Sequence, residues 1–362
     1  MWFEISNVDS IDSPALVVYP ERVKENIRIM ISFIKDINRL RPHIKTNKSP
    51  DAVKLMMDQG ISQFKCATIT EAQMLSQAGA KDVLLAYQPL GPKIKRLTEV
   101  MKQFPATNFS CLVDNSASIA EIGKTVDAEG LSIGVWIDLN VGMNRTGILP
   151  QEADQLVEDI SKIPALKFEG LHAYDGHIRD VDFEVRKTRC DEAFLQVEVL
   201  AAHVEKIIGR KIRIVAGGTP TYPIHATRNN VECSPGTFIY WDNGYAGILK
   251  EQPYQFAALL VCRIISKPGP NILCIDLGHK SVASENPLAN RVSFLEHPDL
   301  EAIGQSEEHL VVKTNQPERY TVGQVLYGLP FHICPTVALY DSVWVVEKGT
   351  ASSKWSTPAR KK

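Results

Sequence analysis

The sequence predicts an α/β protein in which a (β/α)8 barrel is followed by a mostly antiparallel β domain. Three observations carry this. Strand-like and helical runs alternate through the first two-thirds of the chain. The strand-like runs between Leu40 and Thr237 number eight, which favours a closed barrel over an open doubly wound sheet. Past Tyr245 the helical periodicity stops, and β-branched runs broken by turns take over.

The elements follow in order. A short strand is expected at Ala15 to Tyr19. A helix follows from Pro20 to Ile37, opened by proline and with Val23, Ile27, Met30, Ile31 and Ile34 on one face. The eight barrel runs are LRPHIK, QFKCAT, DVLLAY, NFSCLVD, SIGVWIDL, LKFEGLHAY, KIRIVAGG and VECSPGT. Helices are expected between them at Pro50 to Gln59, Thr70 to Ala78, Gly91 to Gln103, Ser116 to Asp127 and Asp182 to Ile208. The runs FAALLVCRIIS, NILCIDLGHK, HLVVKT, TVGQVLYGLP and VALYDSVWVVEKG then supply the second domain. The boundaries this reading sets are 12–245 for the barrel and 246–362 for the β domain, with 1–11 a candidate to join the latter. At the end of the chain Trp355 is a candidate to dock, and Ala359 to Lys362 are expected to fray.

Composition narrows the function classes. The 362 residues are 44% hydrophobic and 23% charged, with a net charge of −2. Such a chain has no bulk electrostatic pull toward nucleic acid or anionic membrane. The start, MWFEISNVDS, lacks a basic region followed by an apolar core, and no apolar run reaches membrane-spanning length. The seven cysteines form no CxxC pair; Cys66, Cys111, Cys262 and Cys274 sit in apolar strand-like runs and read as reduced, buried thiols of a cytoplasmic protein.

The chemistry concentrates at the ends of the barrel runs, where active sites of such barrels gather. Lys45 ends the run RPHIK, on the face that alternation shares with Arg41 and His43. Neighbouring cations favour the neutral amine, which is the form that makes a Schiff base. GGTPT and SPGT follow the last two runs. Their glycines let backbone N–H groups approach an anion and their threonines add donors, as a phosphate site needs. Together these features point to pyridoxal 5'-phosphate.

On RPHIKTNK, KCATITEA, GMNRTG, GLHAYDGH, GGTPT, SPGTFIYWD and HICPT, the chain resembles the fold-type III pyridoxal-phosphate enzymes of the D-threonine aldolase and D-serine dehydratase group, distantly similar to alanine racemase. The resemblance implies that Lys45 holds the cofactor and that Arg145 contacts its phenolic oxygen. It implies that Tyr174 flanks the ring where the racemases use histidine, and that Gly218, Thr219, Gly236 and Thr237 bind the phosphate. Ser234 stands where those racemases carry an arginine. A homodimer is also implied.

A second signal is HIC near the carboxyl terminus. Residues i and i+2 share a face of an extended segment, so His332 and Cys334 are expected side by side. An imidazole and a thiolate favour a divalent metal, zinc first, with manganese or magnesium as alternatives. The resemblance assigns HICPT to the metal, and the cysteine follows the dehydratase pattern. Of the remaining histidines, His172 reads as a core residue, His177 as a loop residue able to face substrate, and His297 and His309 as solvent-exposed. A racemase would need a tyrosine base, for which Tyr327 and Tyr340 are the candidates.

The resulting expectation is a pyridoxal-phosphate- and metal-dependent lyase of D-3-hydroxy amino acids, cleaving Cα–Cβ to glycine and an aldehyde. Lys45, His332 and Cys334 are its catalytic residues, and its partner is a small D-amino acid. A D-serine or D-3-hydroxyaspartate dehydratase is the alternative within the class. A non-catalytic pyridoxal-phosphate-binding protein is the alternative outside it.

Overall fold

The structure, a computed structural model, describes residues 1–361 as two compact units. One comprises Met30–Lys45 and Val53–Gly236; the other comprises Met1–Ile29, Thr46–Ala52 and Thr237–Arg360. Strand β1 (Ala15–Val18) opens the chain and belongs to the second unit.

The first unit is built on seven parallel strands in sequential order: β2 (Gln63–Cys66), β3 (Asp82–Leu85), β4 (Asn108–Val113), β5 (Ile133–Leu139), β6 (Leu166–Ala173), β7 (Arg213–Ala216) and β8 (Val231–Cys233). Each falls inside one of the expected runs. The first expected barrel strand, LRPHIK, is not a regular strand. It makes isolated bridges only, Leu40 to Cys233 of β8 and His43 to Lys65 of β2. Pro42 has no N–H to give a ladder, but its carbonyl accepts from Lys65, while Arg41 and His43 donate to Cys233 and Pro235. The segment therefore spans the gap between β8 and β2 and closes the ring without forming a continuous ladder.

Inside the ring, Leu84, Leu112, Trp136 and Val215 form an apolar layer. Below it Arg41 is fully buried. It is held by Asp82 at 2.5 Å and by Glu232 at 2.8 Å, and Glu232 also takes Arg213 at 2.7 Å. Buried charges persist only when paired in this way. The expected helices form at Pro50–Met57, Ile69–Gln77, Pro92–Gln103, Ser116–Ala128 and Phe183–Ile208, and a further one at Asp154–Ser161. In Ile69–Gln77 the Thr68 hydroxyl caps Glu71 N–H and the Glu71 carboxylate returns to Ala67 N–H, which fixes the chain leaving β2.

The second unit contains β9 (Ala258–Gly269), β10 (Ile272–Ile275), β11 (Val292–Phe294), β12 (Glu301–Gln305), β13 (Leu310–Lys313), β14 (Val325–Pro330), β15 (Ser342–Glu347) and β16 (Thr350–Ser356). Its sheet runs β12-β13-β10-β9-β1-β15-β16, with β14 pairing β9 and β11. All pairs are antiparallel except β1 with β15. The first strand of the chain is thus an interior strand of this sheet, between β9 and β15. Phe3, Ile11, Val17, Tyr19, Leu259, Val261 and Val346 form its core. The expected fraying is overturned at Ala359 and Arg360: Ala359 is buried, and Arg360 Nε meets Asp341 at 2.6 Å. Lys362 lies outside the described residues. Among the described residues no helix is long and apolar enough to cross a membrane.

Candidate active site

A cavity opens among the carboxyl ends of the barrel strands. Its walls include His43, Lys45, Lys65, Asp138, Arg145 and His172, with Tyr174 beside them. Its polar lining offers anchors for a small ligand. Lys45, Arg145 and Tyr174 therefore come together as expected, and the Arg145 guanidinium lies 5.1 Å from the Tyr174 ring centroid. Arg41 shares their inward face but lies deeper, outside the cavity lining.

One wall is a buried chain of polar groups. Asp138 Oδ1 accepts from His172 Nδ1 at 2.7 Å, and its Oδ2 takes Thr146 at 2.9 Å and Gln88 at 2.8 Å. The other ring nitrogen, His172 Nε2, lies 3.4 Å from Lys65 Nζ. Burial, then the charge of Lys65, holds the imidazole below its ordinary pKa and therefore neutral. With Nδ1 donating to Asp138, Nε2 is left as an acceptor for Lys65. Burial alone would raise Asp138; the His172, Thr146 and Gln88 hydrogen bonds hold it below the usual carboxylate range. Burial, then Lys45, brings the Lys65 ammonium down to about 7.

Behind Tyr174 lies a second buried network. Asp175 Oδ2 meets His225 Nε2 at 2.9 Å, and its Oδ1 accepts from Thr221 Oγ1 at 2.8 Å. Thr221 in turn receives Gly218 N–H at 3.3 Å. The GGTPT loop is thus tied to the loop after β6. Gly217 has φ +77°, and a Cβ there would meet His225 Cδ2 at 2.7 Å. A Cβ on Gly218 would meet the Tyr174 ring at 3.0 Å. The two loops expected to bind phosphate also touch, Gly236 N–H donating to Thr219 Oγ1 at 3.2 Å. Beside them the Ser234 hydroxyl is buried with no hydrogen-bond partner.

These features fit pyridoxal phosphate. The lysine and arginine share one cavity, glycines stand where side chains would collide with the tyrosine and histidine, and an unpartnered hydroxyl lies on the last barrel loop.

Asp175, Cys190 and His225 offer ligand atoms within 4.8 Å of one another, a geometry that could hold a cation. Burial pushes the Cys190 thiol up to about 12, however, and Asp175 and His225 already serve one another. The trio is better described as a brace for the loop.

In the second unit, HIC is not an extended segment. His332 has extended backbone but Ile333–Val337 is a short helix, since Pro335 sits within a first turn that needs no N–H from it. His332 and Cys334 still meet through a side-chain hydrogen bond. Burial would lower the His332 pKa, but Cys334, Glu285 at 2.5 Å and Asp242 raise it to about 9. The Cys334 sulfur also lies 3.1 Å from Thr46 Oγ1 and 3.7 Å from Thr237 Oγ1. The imidazole and the sulfur stand side by side, and both are donor types that a divalent metal accepts.

Other sequence expectations resolve variously. His172 is a core residue, as expected, yet it lines the cavity. His177 does not line it; its Nδ1 is buried without a partner. His309 is exposed, whereas His297 is half-buried against the Tyr320 ring. Tyr327 accepts Ile5 N–H at 3.1 Å and Tyr340 donates to Ser281 at 2.7 Å, so both candidate racemase bases are engaged in structure. Sequence reasoning missed Asp138, His225 and the placement of Lys65. The signals for Lys65 were a charge inside a strand-like run and its place at the head of KCATITEA.

Comparison with known proteins agrees with this geometry. The family model "Alanine racemase, N-terminal domain" matches residues 18–244. The chain belongs to this family. The model of a putative serine dehydratase domain matches residues 257–346. A D-threonine aldolase of an Arthrobacter species is 25% identical, covering 97% of this chain and 93% of the relative. A 3-hydroxy-D-aspartate aldolase of Paracoccus denitrificans is 28% identical with the same coverage. A D-threonine aldolase structure from Filomicrobium marinum shares the fold with a TM-score of 0.90 at 24% identity, covering 99% of this chain and 98% of that one. The two family models together are the pairing expected of the D-threonine aldolase and D-serine dehydratase group.

Proposed function

We propose that this protein is a pyridoxal-phosphate- and divalent-metal-dependent lyase that cleaves the Cα–Cβ bond of D-3-hydroxy amino acids, giving glycine and an aldehyde. The observation that carries the reading is the single cavity shared by Lys45, Arg145 and Tyr174, three positions that the family motifs give to the cofactor. Relatives named as D-threonine aldolase and 3-hydroxy-D-aspartate aldolase match 97% of the chain and support the substrate class.

In this reading Lys45 holds the cofactor covalently, Arg145 contacts its phenolic oxygen and Tyr174 flanks its ring. Gly218, Thr219, Gly236 and Thr237 would hold the phosphate, and the unpartnered Ser234 hydroxyl would be available to the ring nitrogen. The cofactor, when bound, withdraws electrons from the bonds at Cα. His332 and Cys334 hold the metal, with zinc favoured by the sulfur; it supplies Lewis acidity toward the β-hydroxyl. The amine of Lys45 would be placed to deliver a proton to Cα after cleavage. In an elimination it would instead remove the Cα proton. We also propose a cytoplasmic homodimer, for which sedimentation of the purified protein is the test.

The dehydratase alternative has specific support in Cys334 and in the serine dehydratase model matched by residues 257–346. Product analysis with D-threonine, D-serine and D-3-hydroxyaspartate separates the two. Glycine with an aldehyde is the expected result. Ammonia with a 2-oxo acid and no glycine would establish the dehydratase. No product of either kind would leave the non-catalytic cofactor-binding reading.

A further inference from the structure

Lys65 has no part in the reaction as set out above, yet it lines the same cavity as Lys45 and is only 2% exposed. Buried lysines ordinarily meet a carboxylate. Among the described residues no carboxylate lies within ion-pair distance of Lys65; its hydrogen-bond partner is His172 Nε2 at 3.4 Å. Asp138 stands on the far side of that ring, and its oxygens are taken by His172, Thr146 and Gln88. The carboxylate therefore orients the imidazole, and the imidazole orients the amine.

The lyase reading leaves one proton without a carrier. A free D-amino acid arrives with its nitrogen as an ammonium group, which has no lone pair and cannot attack a carbon. We propose that Lys65 is a second proton-transfer residue of the reaction centre, taking a proton from the substrate's ammonium group and returning it to the departing product amine. The inference rests on the lyase reading. The step balances as R–NH₃⁺ plus Lys65–NH₂ giving R–NH₂ plus Lys65–NH₃⁺. Only N–H bonds change, and no electrons leave or enter. On release the proton goes back to the departing amine, which is glycine in the aldol cleavage.

The surroundings suit this role. Lys45 and His43 face Lys65 from the closing segment, and Arg41 lies beneath it. Asp138 and Arg145 come from β5 and its loop, and His172 and Asp175 from β6 and its loop. Burial, the largest cause, outweighs the pull of Asp138 and Asp175 and brings the amine down to about 7. A base is most effective when it titrates near the working pH. With one N–H donated to His172, the lone pair of the neutral amine is free for the substrate.

The test uses the cofactor-loaded enzyme and the variants Lys65→Met, Lys65→Arg and Lys65→Ala. The pH dependence of kcat/KM is measured with D-threonine, together with visible absorbance and the site of borohydride reduction. Lysine ¹³Cε resonances are titrated separately in wild type and Lys65→Met. The wild type is expected to show an acid limb near pH 7 and one lysine resonance titrating there. In Lys65→Met both should vanish and kcat/KM should fall about 10²- to 10⁴-fold, with the cofactor still reduced onto Lys45. Lys65→Arg should be equally impaired, because a guanidinium does not give up its proton. Methylamine should restore activity to Lys65→Ala in proportion to its concentration. Retention of the acid limb in Lys65→Met, or near-normal turnover by Lys65→Arg, would reduce Lys65 to a structural cation and overturn the proposal. Failure of the lyase reading is distinct: the wild type then yields no product, and both proposals fall together.

Discussion

Replacing Lys65 with methionine should stabilise the protein at neutral pH, by an amount that shrinks as pH rises. Burial lowers the Lys65 pKa from 10.5 to about 7. Each unit of difference between folded and unfolded chains is worth about 1.4 kcal/mol. Between these two values the unfolded chain binds the extra proton, so wild-type stability climbs with pH across that window. The cost of folding with this lysine inside is then roughly 4 kcal/mol at pH 7, about 2 kcal/mol at pH 9 and close to zero above the unfolded value. Methionine conserves most of the volume and carries no charge, so it removes this cost. It also removes the hydrogen bond to His172, worth about 1 kcal/mol. The net gain should be about 3 kcal/mol at pH 7 and about 1 kcal/mol at pH 9. Urea midpoints of the two proteins, in the same cofactor-loaded state, measure the gap. A Lys65→Met variant less stable at pH 7, or a gap that does not change between pH 7 and pH 9, would refute this account of the buried amine.

Three further outcomes are expected. The purified protein should be yellow, and borohydride reduction with peptide mapping should recover the pyridoxyl group on Lys45; recovery on Lys48 or Lys65 would reassign the site. Chelation should abolish turnover while leaving the visible absorbance in place, and full activity in metal-free protein would remove His332 and Cys334 from the mechanism. Asp175→Ala should cost roughly 3 kcal/mol or more of stability, because it leaves buried His225 and Thr221 without their partner. It should also weaken cofactor retention through the Gly218 loop, read by absorbance titration; unchanged retention would mean that the network does not brace that loop.

The barrel was legible in the sequence because short, largely apolar strand-like runs alternate with helical ones, and β2 to β8 each fall inside such a run even where it carries a charge, as at Lys65 and Glu232. LRPHIK was legible as the place of the reacting lysine but not as an irregular segment. Its alternation is strand-like, while its single missing donor at Pro42 matters only once β8 and β2 stand on either side. The helix Asp154–Ser161 went unread, since eight residues carry too little periodicity to declare themselves. The side-by-side placement of His332 and Cys334 was foreseen by a strand argument, yet the segment turns into a helix there and the pairing comes from side-chain reach.

The sequence by itself determined the local facts: which runs are strands, which loops carry glycine and threonine, and which lysine ends the first barrel run. Those depend on period, turn chemistry and residue type, all written within a few positions of one another. Only the tertiary structure decided which charges share a cavity. Lys65 and His172 are 107 positions apart, and Asp175 and His225 are 50 apart. Nothing local marks Asp138 as the anchor of His172 or Ser234 as a hydroxyl without a partner. A buried polar group is satisfied by whatever the fold brings within about 3 Å of it, and that distance is set by the closure of the barrel rather than by spacing along the chain.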